Sequence, residues 1–211
     1  MIRRAKIALF CLTLALCGCS SGTSEYANLS KAVLDQFGGS DSEVSLNQAS
    51  AIPYATLGVR LGGSQQSIMV LATSTQEDRL WLAGAEAAIT TRHGRVIQTA
   101  GFTHNLNNVA ILAEDPGAGT IDYKYDLANP SIYGLLVHCK RQDLGVAQVT
   151  ILDAQISTLH SIEDCDAATI NWSFTNEFWS DPKTNFVWMS IQHTHPKEDA
   201  LEIKALRPDA S

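Results

Sequence analysis

No stretch of this sequence is long and apolar enough to cross a bilayer as a helix. The longest apolar run, residues 7–17, covers 11 positions, against the roughly 20 that a helical span needs. No long run of lysine and arginine occurs. Charged residues make up 18% of the chain and the formal net charge is −7, so nucleic acid is not an expected partner. Gly-x-Ser-x-Gly occurs at Gly18-Cys19-Ser20-Ser21-Gly22, at the end of the apolar N-terminal run and not on a strand-to-helix turn, and no glycine-rich loop follows a strand and opens a helix. Neither a serine hydrolase of that type nor a nucleotide cofactor is indicated, and no cofactor is expected. His193-Thr194-His195 is the best metal candidate, because residues i and i+2 share a face of a strand. Glu198 or Asp199 would have to supply a third ligand, yet Pro196 and Lys197 end the strand there. No metal is expected. Glu86, Asp115, Glu163, Asp164, Glu177 and Asp181 could serve glycoside hydrolysis, but nothing in the sequence pairs them. The chain does not read as an enzyme.

What is present begins at the N-terminus. Arg3, Arg4 and Lys6 precede the short apolar run, which is the layout of a secretory signal. Leu16-Cys17-Gly18-Cys19 resembles the lipobox of bacterial lipoproteins. Leu16 cannot serve as the small residue before the cut, so Cys17 is unsuited to modification. Gly18 can serve, so Cys19 is the candidate lipidation site. Acyl chains of the palmitate type on Cys19 would anchor the protein, each buried CH₂ contributing about 0.8 kcal/mol. Ser20 follows where an aspartate would signal inner-membrane retention, so the outer membrane, on its periplasmic leaflet, is the expected location. The expected organisation is a signal peptide over 1–18, a lipidated cysteine and polar tether over 19–24, and a single β domain over 25–211. Cys11 and Cys17 leave with the signal. Cys139 and Cys165 remain as a pair in an oxidising compartment, where a disulfide is expected. Their separation of 26 positions would contribute roughly 3.5 kcal/mol in the chain-entropy account.

Tyr26, Leu29, Val33, Leu34 and Phe37 recur at helical spacing. Thr23 or Ser24 can cap that helix and Gly38-Gly39 can stop it. Beyond it the period changes to two. Leu57, Val59 and Leu61 alternate, as do Ile121, Tyr123 and Tyr125, and about ten strands follow at short spacing. Residues 78–85 are the one later stretch that could be helical. Residues 115–119 (Asp-Pro-Gly-Ala-Gly) read as a loop that could divide two lobes. The expected fold is mainly β, an antiparallel meander curled into a barrel or half-barrel, with one short N-terminal helix. Trp172 and Phe174 share a strand face, as do Phe186 and Trp188. Core packing is the ordinary use of such side chains. Trp172 and Trp188 are also candidates for stacking on a sugar ring. Arg92 and Arg95 flank the His93-Gly94 turn as a cationic tip that could meet a glycan or a partner.

Several segments fall into a known order. They are Ile52-Pro53-Tyr54-Ala55-Thr56-Leu57 with Val59-Arg60-Leu61, and Thr91-Arg92-His93-Gly94-Arg95-Val96 with Thr99-Ala100-Gly101. Asp115-Pro116, Phe178-Trp179-Ser180-Asp181, Ser190-Ile191-Gln192 and Leu206-Arg207-Pro208 follow. This set resembles the YjbF/GfcB family of lipoproteins. The resemblance implies a barrel-like domain that is a non-enzymatic accessory in exopolysaccharide or capsule secretion or assembly. The implied partners are a large outer-membrane β-barrel, a periplasmic polysaccharide-secretion protein and the polysaccharide itself. No catalytic residues come with the family. Asn185 stands where glycine is usual, and asparagine tolerates the left-handed conformation of such a turn. Arg207 stands for a usual lysine, on what reads as an exposed tail. Two alternatives remain. A half-barrel carrier of lipid or lipoprotein needs an apolar cavity of several hundred cubic ångströms. A glycan-active enzyme needs two carboxylates roughly 5–10 Å apart across a cleft.

Overall fold

The computed structural model describes residues 43–209. The signal segment, Cys19, the tether and the expected helix from Tyr26 to Phe37 lie outside them. Twelve strands follow a single α-helical turn, α1 (Leu46–Ser50). In order they are β1 (Thr56–Leu61), β2 (Ser67–Ser74), β3 (Asp78–Ala83), β4 (Ala87–Arg92), β5 (Arg95–Ala100) and β6 (Leu106–Asp115). Then come β7 (Thr120–Leu127), β8 (Ile132–Ile151), β9 (Ala154–Ala167), β10 (Trp172–Ser180), β11 (Val187–Gln192) and β12 (Leu201–Arg207). All pairings are antiparallel. Each strand bonds its sequence neighbours except at β5 and β6, and β1 bonds β12, so the first and last strands are joined. The seam lies between β5 and β6, which share no ladder. There the Thr99 hydroxyl accepts from the Leu106 amide at 2.9 Å. The result is a mainly β, nearly closed barrel, as expected from the period-two patterning.

Alternation sorts the side chains. Leu57 and Val59 of β1, and Leu201, Ile203 and Ala205 of β12, point inward to the main core. Leu206 and Ile68 point outward and join a second cluster with Val44, Ala49 and Ile52. That cluster is covered by Val149 and Ile151 from the distal part of the long β8–β9 hairpin. The chain of α1 is fixed to the outer wall by a capping box between Ser45 and Gln48 and by the Gln66 side chain, which accepts from the Val44 amide at 2.9 Å. Gln66 also lies over Gly58, where a Cβ would come within 2.8 Å of its amide group.

Several local expectations change. Residues 78–83 are strand β3, because Trp81 faces the core while Asp78 sits at the strand's end beside Arg92. Strand β6 was not expected, since beyond Ala110 its residues are exposed on both faces. The stretches around 135–139 and 146–152 form one strand, β8. Residues 116–119 are the β6–β7 hairpin turn and divide nothing. Of the eleven connections between the strands, six gather at one end of the barrel and five at the other. The end holding the β4–β5 and β10–β11 turns is called the mouth, and the end holding the 193–200 loop is called the base.

Candidate functional site at the barrel mouth

The base is filled and tied shut. Trp172 and Phe174 stack with ring centroids 4.1 Å apart, and Trp172 meets Tyr125 edge-on at 6.3 Å. Leu106, Leu127 and Leu201 are fully buried nearby. Below them the 193–200 loop folds in. His195 is wholly buried and stacks on His104 of the β5–β6 loop, with centroids 4.9 Å apart. Glu198 accepts from the His104 amide at 2.6 Å and lies 2.9 Å from its Nδ1. Burial holds His195 and His193 below the usual histidine pKa. His193 turns toward Phe174, at 5.6 Å. The two imidazoles of His193-Thr194-His195 therefore pack against different rings. Among the described residues one group has metal-ligand proximity, namely Cys139, Glu163 and Cys165. The two cysteines face each other in register on β8 and β9 and are joined by a disulfide.

The interior above the base carries charge. Arg95 lies beneath Tyr123 and Phe178, 4.7 and 5.0 Å from their ring centroids, and is ion-paired with Glu163. Burial opposes the Arg95 charge, but Glu163 together with Tyr123 and Tyr125 outweighs it, so the guanidinium is held above its usual pKa. Burial likewise pushes Tyr123 and Tyr125 up. Gln192 crosses the interior. Its Oε1 accepts from the Val96 amide at 2.9 Å and its Nε2 donates to Gly94 O at 2.8 Å.

That bridge positions the mouth. His93 and Gly94 both have positive φ, 48° and 82°, as a two-residue hairpin turn requires. The turn reaches onto Val187, and a Cβ at Gly94 would run into that side chain. The contact separates two cavities. One, of about 450 Å³, is lined by Arg95, Tyr123, Arg141, Glu163 and Phe178. The other, of about 610 Å³, has walls of Leu57, Trp81, Phe186, Val187, Ile203 and Ala205, with Arg79, His93, Arg207 and Asp209 at its rim.

The expected site residues are thus dispersed. Arg92 sits at the tip, bonded to Asp78 at 2.7 and 2.9 Å, and that contact holds Asp78 below the usual carboxylate pKa. Arg95 is inside. Trp172 is at the base with 8% exposure. Trp188 is the extra residue of a bulge opposite Trp179 and Ser180, and packs against both apolar clusters. Asn185 has φ 59° in the β10–β11 turn. Arg207 is half-buried in the cavity wall, not on an exposed tail. Its signal in the sequence was the alternation Leu201, Ile203, Ala205, Arg207, which puts a cation on the inward phase of the last strand. Arg79 carries the same signal, two positions before the inward-facing Trp81.

Residues 26–206 match the family described as Group 4 capsule polysaccharide lipoprotein gfcB, YjbF. The chain is 32% identical over 115 residues to the uncharacterized lipoprotein GfcB of Escherichia coli (strain K12), covering 54% of this chain and 52% of that one. It is 31% identical over 116 residues to the uncharacterized lipoprotein YjbF of the same organism, with the same coverage. The match spans about half the length of these curated relatives. Among solved structures, the crystal structure of the hypothetical lipoprotein YmcC from Escherichia coli (K12) superposes with a TM-score of 0.72 at 22% identity. It covers 90% of this chain and 100% of that one, a likeness of fold.

Proposed function

This chain belongs to the YjbF family of group 4 capsule polysaccharide lipoproteins, and from that premise we propose that it is a lipid-anchored, non-catalytic accessory of capsule or exopolysaccharide secretion. One observation carries the reading. Three of the acids around the mouth are held by arginines: Asp78 on Arg92, Glu163 on Arg95, Asp209 on Arg79. A hydrolase needs an acid and a base facing a shared cleft with protons to exchange, whereas paired charges suit docking and assembly. Acylation at Cys19 would hold the barrel on the periplasmic leaflet of the outer membrane. There a weak contact with an outer-membrane β-barrel, or with a periplasmic polysaccharide-secretion protein, becomes effectively intramolecular. Deletion of the gene should lower surface polymer while total polymer synthesis persists, and Cys19→Ala should fail to restore it. Unchanged surface polymer in a clean deletion overturns the reading. The 610 Å³ cavity favours a second reading, in which the barrel carries an acyl-bearing molecule.

A further inference from the structure

We propose that the larger mouth cavity binds the acyl chain of an anionic amphiphile, with Arg207 receiving the charged head. The inference rests on the carrier reading, and its binding test can fail or succeed separately from the deletion test of polymer secretion.

The cavity's size, about 610 Å³, lies within the roughly 300–1,000 Å³ of small-molecule sites. Its apolar lining, Leu57, Trp81, Phe186, Val187, Ile203 and Ala205, comes from segments far apart in sequence, and the hydroxyls of Thr91, Thr184 and Ser190 that also line it are already bonded to Trp81, Asp181 and Gln192. The Trp81 indole N–H donates to the Thr91 hydroxyl at 2.9 Å, so Trp81 presents only its ring surface. A sugar in this space would set most of its hydroxyls against these apolar side chains, and each buried, unpaired polar group is costly. A methylene chain has no such groups.

The rim selects the head. Asp209 is engaged by Arg79 at 3.3 Å and by the Ser74 hydroxyl at 2.9 Å. Arg207, half-buried at the same rim, has no side-chain hydrogen bond or ion pair among the described residues. A partly desolvated guanidinium without a counter-charge matches a carboxylate or phosphate, which it can take with two parallel hydrogen bonds. The rim therefore carries one excess positive charge on a chain whose formal charge is −7.

The test uses the full chain carrying Cys19→Ser, purified without detergent, and follows binding by Trp fluorescence and calorimetry. The probes are the fatty carboxylates from octanoate to tetradecanoate, dodecyl maltoside, glucuronate, and vesicles of phosphatidylglycerol. Affinity for the carboxylates should rise about tenfold for each two added methylenes. Arg207→Gln should weaken dodecanoate about ten- to a hundredfold and leave dodecyl maltoside unchanged. Ala205→Leu, which narrows the cavity, should weaken both. Glucuronate should not compete. Extraction of lipid from the vesicles identifies a membrane lipid as the source, and binding of carboxylates without extraction identifies a free acid. Affinity independent of chain length, displacement by glucuronate, or an Arg207→Gln variant with unchanged dodecanoate binding overturns the proposal. A failure here leaves the deletion phenotype standing, and a normal deletion phenotype leaves this binding standing.

Discussion

At the base of the barrel the loops hold one another. Glu198 grips His104 of the β5–β6 loop, Asp199 packs on Gly62 of the β1–β2 turn, and the Gly62 amide donates to Ala200 O at 3.0 Å. At the mouth the β6–β7 and β10–β11 turns are satisfied within themselves. Asp115 accepts from the amides of Gly117 and Ala118, and Asp181 accepts from those of Lys183 and Thr184, which keeps the Asp181 carboxyl below its usual pKa. Behind the base loops lies a filled aromatic core, and behind the mouth turns lie two cavities. The same meander therefore has an end built for stability and an end whose turns can vary without disturbing the core, as binding loops on a rigid scaffold do.

The sharpest way to break this contrast is to empty the base. Trp172→Ala should cost about 3–5 kcal/mol in chemical denaturation, and a loss under about 1 kcal/mol would mean that the base is not the stable end. Removing the disulfide with Cys139→Ala and Cys165→Ala should cost roughly 3 kcal/mol. Reductant should then lower the melting temperature of the parent protein and not of the variant. Acid should act on the base. Burial depresses the pKa of His195, so the folded form resists a proton that the unfolded chain takes near pH 6.5. Stability is full above that pH and declines as the pH falls from about 6.5 toward the lower folded pKa, by at most about 1.4 kcal/mol per pH unit for this group. Denaturation midpoints between pH 7.5 and 5 check this, and His195→Gln should flatten the slope. The smallest stability effect belongs to the mouth. Arg207→Gln should change stability by no more than about 0.5 kcal/mol, which separates its binding role from folding.

The barrel was legible where alternation is clean. Leu57/Val59/Leu61 and Ile121/Tyr123/Tyr125 each name an inward face. It was not legible in the outer half of β6, where Ile111 and Leu112 are both exposed, nor in β3, where Leu80, Trp81 and Leu82 form a run without alternation. The cavity was hidden for a different reason. Leu57, Trp81, Phe186 and Ile203 come together only because β1 pairs with β12 and the β4–β5 turn leans on Val187. No local pattern encodes that closure. Arg95 read as half of a surface tip because its burial depends on Glu163, which is 68 positions away.

The central claim is that the mouth is the working end. Its most direct test is surface polymer, normalised to the amount of this protein, in cells whose sole copy carries Arg207→Glu at the mouth or Glu198→Gln at the base. The account predicts that Arg207→Glu lowers surface polymer at unchanged protein level, while Glu198→Gln lowers it only in proportion to lost protein. Normal polymer with Arg207→Glu, or a loss with Glu198→Gln at full protein level, would contradict it.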